Sequence, residues 1–96
     1  MNHLYLALGR AIAGLCPPGF AEAKLQATPD EGAFDLNSTM ADGTQVQLPV
    51  DEAGRAAIRV PLDAIRETMA AEDGKSWRSC TVTLIAGGGF RLDVAD

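Results

Sequence analysis

The side chains able to do acid–base or nucleophilic chemistry are few and scattered. The only histidine is His3, beside the N-terminus, where backbone frays and a base is poorly held against a nucleophile. Three acidic pairs, Asp30-Glu31, Asp51-Glu52 and Glu72-Asp73, carry the residue types that divide acid and base work in hydrolases. Adjacent side chains rarely converge on one substrate atom, however, and each pair sits in a turn or at a helix end by composition, so solvated turn residues explain them. Gly87-Gly88-Gly89 is flanked by strand-like sequence on both sides. A phosphate cradle needs a helix N-terminus after its glycines, so this triplet reads as a hairpin turn. Cys16 and Cys80 belong to no CxxC or catalytic signature and read as two reduced thiols behaving as small apolar residues. No catalytic residue, metal set or cofactor is expected.

Composition narrows the class further. The chain has 96 residues, 47% of them hydrophobic, with 8 Lys and Arg against 13 Asp and Glu for a net charge of −5. That length suits one domain, residues 1–96, with enough apolar content for one core. The acidic balance argues against direct nucleic-acid binding, where Lys and Arg must replace counterions on the phosphates. The apolar stretch before Cys16 has the look of a leader, but no Lys or Arg precedes it, Arg10 interrupts it, and Leu15 stands where a cleavage site wants a small residue. No stretch approaches the roughly 20 apolar residues that span a bilayer. The expectation is a cytoplasmic protein without membrane contact.

The elements that must position these groups follow from periodicity. Leu4, Leu8, Ala11, Ile12 and Leu15 fall on one helical stripe, with Asn2 as a potential cap and Pro17-Pro18-Gly19 as the stop, predicting a helix over 3–16. From Phe20 the period becomes two: Ala21, Ala23, Leu25 and Ala27 alternate with Glu22, Lys24 and Gln26. A turn at 28–32 leads to a second strand with Phe34, Leu36 and Met40 opposite Asp35, Asn37 and Thr39. Asp42-Gly43 is a strong hairpin signal returning Val46, Leu48 and Val50, with Pro49 marking an edge or end. Asp51 to Gly54 reads as a turn, Ala56, Ile58 and Val60 as a short fourth strand, and Pro61 as the first turn of a second helix over 62–72. Gly74, with Asp73 and Lys75 beside it, ends that helix in a left-handed cap. Trp77–Ala86 and Phe90–Val94 form a terminal hairpin whose Cys80, Val82, Leu84, Phe90, Leu92 and Val94 share a face. The fold class is α+β: an antiparallel sheet of five or six strands with two helices on one face, in the order α-β-β-β-(β)-α-β-β.

Trp77 lies beside Lys75 and Arg78 and reads either as core under the second helix or as an interface anchor. The run Trp77-Arg78-Ser79-Cys80-Thr81-Val82-Thr83-Leu84, followed by Gly89-Phe90-Arg91-Leu92-Asp93, resembles the closing motif of the YezG-type immunity protein (antitoxin) family. There a Trp opens a strand of alternating Thr and apolar residues, and a Gly-X-Phe turn leads into a last strand with an acidic residue. Trp77, Gly89, Phe90 and Asp93 carry the likeness, and the order of elements matches. The chain departs from the family pattern in ending at Asp96 without a following aromatic. The resemblance implies a non-enzymatic protein that neutralises a partner toxin, often a basic nuclease, by binding it. An acidic inhibitor would be steered to such a partner by charge. Candidate contacts are Trp77, Asp93, Asp35 and Asp42, the last two on or beside the exposed side of the sheet. Two other classes fit the same elements. One is a structural domain that forms a homodimer through a sheet edge, Gln45–Val50 or Phe90–Val94; the other is a small-molecule binder with a pocket between sheet and helices.

Overall fold

The computed structural model describes residues 2–74 and 77–95. Helix α1 (Asn2–Ala13) is followed by strand β1 (Phe20–Thr28), a 3₁₀ turn (Pro29–Glu31), β2 (Ala33–Met40), β3 (Gln45–Leu48), helix α2 (Glu52–Asp73), β4 (Ser79–Ile85) and β5 (Gly89–Ala95). The five strands make one sheet in the order β3-β2-β1-β4-β5, and every pairing is antiparallel. The protein is therefore α+β, with two helices and a five-stranded antiparallel sheet.

Alternation along the strands decides which face is covered. In β1, Ala23, Leu25 and Ala27 are buried while Lys24 and Gln26 face water. Pairing carries this pattern outward: Leu25 sits opposite Leu36 on one side and Val82 on the other, and Val82 faces Leu92. Leu8 and Ile12 from α1 and Ile58, Leu62 and Ile65 from α2, all with no exposed surface, join these residues in one core. Burying each such side chain contributes about 1.5–3 kcal/mol. The opposite face is left to polar side chains, a common arrangement for an antiparallel sheet.

Most of the expected elements stand where periodicity placed them. Helix α1 stops earlier than expected, at Ala13. Leu15 N–H and Cys16 N–H reach back only three residues, to Ile12 O at 3.0 Å and Ala13 O at 3.1 Å, so the chain tightens out of the α-helix before the prolines. The cap expected of the Asn2 side chain, like the roles given to the Asp73 side chain and Lys75, lies outside the described residues. Gly74 does take the left-handed conformation, at φ 66°, its N–H bonding Ala70 O. The 28–32 turn and the Asp42-Gly43 hairpin are present, with Gly32 and Gly43 at positive φ.

The segment 51–61 differs. It is neither a turn nor a strand but the first half of α2, so the sheet has five strands and Pro61 lies inside the helix. Asp51 is the N-cap, and its carboxylate accepts the Gly54 N–H at 2.7 Å, satisfying one of the donors a helix start leaves free. Pro61 forfeits one helical hydrogen bond, to the carbonyl of Ala57. Ala57 is exposed, so water can serve that carbonyl. Gly54 is buried: a Cβ there would stand 3.2 Å from Leu15 Cδ2, so the absent side chain lets the segment that follows α1 pack closely on the start of α2.

Candidate functional site

The uncovered face of the sheet gathers most of the polar residues that the sequence places on strands. Its register forms rows across the strands. Asp35 pairs with Gln26, Gln26 with Thr81, and Thr81 with Asp93. The next row runs Gln47, Asn37, Lys24, Thr83 and Arg91, and the one beyond it Gln45, Thr39, Glu22, Ile85 and Gly89. With neighbouring strands about 4.8 Å apart, Asp35 and Asp93 stand roughly 14 Å from each other on the same surface. Between them lie a carboxamide and a hydroxyl, groups that both donate and accept hydrogen bonds. Two shallow depressions flank this row, one of about 650 Å³ bordered by Glu22, Lys24, Thr83 and Arg91, and one of about 250 Å³ bordered by Gln26, Asp35, Ser79 and Thr81.

The four sequence candidates separate here. Asp35 and Asp93 are exposed and share one row. Asp93 is held by Arg91, whose Nε lies 3.0 Å from its Oδ2. Asp42 is exposed at the tip of the β2–β3 hairpin, outside the row, where its carboxylate accepts the Thr44 N–H at 2.9 Å. That bond holds its carboxyl below the usual range and makes Asp42 a turn-forming residue. Trp77 corrects the expectation of a surface anchor. It precedes β4, is only 2% exposed, and offers a partner no side-chain surface. Its indole packs in the core with Arg66 of α2 over the ring, 5.4 Å from Cζ to the centroid.

A second arrangement lies on α2, where Arg59 and Arg66 are two turns apart on one helical face; a helix beginning at Leu62 would leave Arg59 off that face. Arg59 donates to Pro29 O at 2.7 Å and lies 5.7 Å over the Phe34 ring. Arg66 makes a bidentate pair with Asp30, both bonds 2.9 Å. The hydrogen bond and charge of Arg66 hold the Asp30 carboxyl below its ordinary range. These two arginines strap the 3₁₀ turn to the helix and are thereby occupied. Asp63, Glu67 and Glu72 on the same helix make no ion pair among the described residues. Of the acidic pairs, Asp30 serves in the strap and Asp51 as the helix cap, while Glu31, Glu52 and Glu72 are exposed.

On the helix-covered side, an apolar groove of about 430 Å³ opens between α1 and the β4–β5 turn. Tyr5 and Phe90 form its wall, their ring centroids 5.3 Å apart, and Leu6 and Ile85 stand at its rim, 56% and 51% exposed. Leu6 falls off the apolar stripe of α1 and Ile85 is an isoleucine on the polar sheet face; those two misplacements were the available sequence signal. Cys16 and Cys80 are free thiols. Burial pushes the Cys80 thiol up to about 11. Among the described residues no group of three or more His, Cys, Asp or Glu is placed to hold a metal ion, and no helix is long and apolar enough to cross a membrane.

No protein-family model matches the chain, and no curated protein is significantly similar to it.

Proposed function

We propose that the chain is a non-enzymatic binding protein that engages a basic partner protein through the uncovered face of its sheet. The observation that carries this reading is the Asp35–Gln26–Thr81–Asp93 row, which turns two carboxylates of different strands toward one plane with hydrogen-bonding groups between them. Strands hold that spacing more rigidly than loops would, a condition for a contact surface of fixed geometry. The wider charge distribution supports the same reading. Thirteen Asp and Glu against eight Lys and Arg leave a net charge of −5, and one of these acids, Asp42, is exposed at the hairpin tip. Long-range attraction would raise the encounter rate with a basic protein and weaken with salt. The likeness of the terminal hairpin to the YezG-type immunity proteins supplies the partner class, a basic toxin such as a nuclease, which the bound sheet would block.

The test is capture from a lysate of the source organism on immobilised chain, at low and high salt, beside the double variant Asp35→Lys/Asp93→Lys. Both positions are exposed, so the variant retains the core. The expected result is a basic protein held at low salt, released at high salt, and lost with the double variant. Equal recovery by the variant, or binding indifferent to salt, would overturn the proposal.

A further inference from the structure

We infer that β5 pairs with β5 of a second copy, antiparallel about a two-fold axis at Leu92, joining two sheets into one. This goes beyond the partner-binding proposal and does not depend on it. The two edges of the sheet are unlike. β3 has four residues and is followed by Pro49, the short, proline-ended form of a blunted edge. β5 has seven residues, contains no proline, and among the described residues pairs only with β4. Its backbone is a free template for another strand.

The sequence of β5 is self-complementary in one register. Residues of paired strands share a face, so the registers that match open face to open face differ by steps of two. With the axis at Leu92, Arg91 stands opposite Asp93 of the second copy and Asp93 opposite its Arg91. Each copy already holds Arg91 and Asp93 as a pair, with 76% and 53% of their side-chain surfaces exposed, so the symmetric contact closes a ring of four alternating charges. Shifting to the next matched register in one direction sets Arg91 against Arg91; shifting in the other sets Asp93 against Asp93. Like charges directly opposite are unfavourable, so charge selects the register.

The covered face agrees with the same axis. There Leu92 meets Leu92, and Phe90 meets Val94 of the second copy. Phe90 is sheltered by Tyr5, whereas Val94 at the other end of the strand remains 37% exposed. The two-fold brings each uncovered Val94 beside the Tyr5–Phe90 stack of the other copy. A C2 contact requires one patch to complement itself, and β5 does so on both faces.

The experiment is size-exclusion chromatography with light scattering on the purified chain alone, so no partner protein enters the measurement. Wild type is expected to have a dimer mass at concentrations of about 100 µM and below. Arg91→Glu and Asp93→Lys are each expected to raise the dissociation constant about tenfold or more, since each change occurs twice per interface. The swap Arg91→Asp/Asp93→Arg is expected to restore dimerisation, because the same positions then attract with reversed signs. A wild-type monomer at about 100 µM would overturn the inference. So would a dimer whose affinity is the same in all variants, or a swap no better than the single changes. Failure here leaves the lysate capture unaffected.

Discussion

The pair Ile58 and Val60 distinguishes a helix from a strand over residues 52–61 by stability alone. In a strand these residues, two apart, would share one face and cost the same when truncated. In α2 they are about 200° apart around the axis, and Ile58 has no exposed surface while Val60 is 73% exposed. Ile58→Ala removes three methyl or methylene carbons from the core where α2 meets the sheet, and a fully buried Ile→Ala change costs about 2–5 kcal/mol, here about 3. For a domain of this size that lowers Tm by about 12–24 °C. Val60→Ala gives up little burial and gains about 0.5 kcal/mol of helix propensity, so Tm should hold or rise slightly. Urea or thermal unfolding followed by the fluorescence of Trp77, the single tryptophan, reads both. Similar losses in the two variants, or a larger loss for Val60→Ala, would refute the helical assignment.

Asp51→Ala removes the cap on Gly54 N–H and should cost about 1 kcal/mol by chemical denaturation, whereas Asp51→Asn should cost less. The lowered carboxyl of Asp30 gives stability that is full above about pH 4 and declines as pH falls from there through the folded-state value, because the unfolded chain takes up that proton first. Asp30→Asn should therefore flatten the acid limb of a Tm-versus-pH curve, modestly, since the pair with Arg66 is solvent-exposed. Cys80, pushed up to about 11 by burial, contributes stability that is present below about pH 8.5 and is lost as pH rises toward 11. Its alkylation by iodoacetamide at pH 8 should be negligible in the native protein and complete in denaturant, with Cys16 the faster of the two under native conditions.

Where one periodicity dominated, the sequence was legible. The alternation of Ala23, Leu25 and Ala27 with Lys24 and Gln26 admits only a half-covered strand, and Asp42-Gly43 admits little but a hairpin. Residues 56–60 are ambiguous because Ala56, Ile58 and Val60 satisfy period two, while Ile58, Leu62, Ile65 and Met69 satisfy the helical period only if Pro61 is allowed inside. The proline misled: its penalty is one hydrogen bond and some strain, which the packing of Ile58 and Leu62 offsets. The site was partly legible for the same reason. Alternation puts Asp35 and Asp93 on the wet face, but that they share a row depends on register across three strand pairs, a tertiary fact. Trp77 shows the converse, since neither its neighbours nor its type separates an anchor from a core residue, and only the position of α2 settles it.

The most direct test of the uncovered face as the working surface is amide NMR of the labelled chain titrated with the basic protein recovered by capture. The proposal predicts that shift changes concentrate on Asp35, Gln26, Thr81 and Asp93 and their row neighbours Lys24 and Thr83. Changes confined to the exterior of α2 or to the Tyr5–Leu6 groove, with that row unmoved, would contradict it.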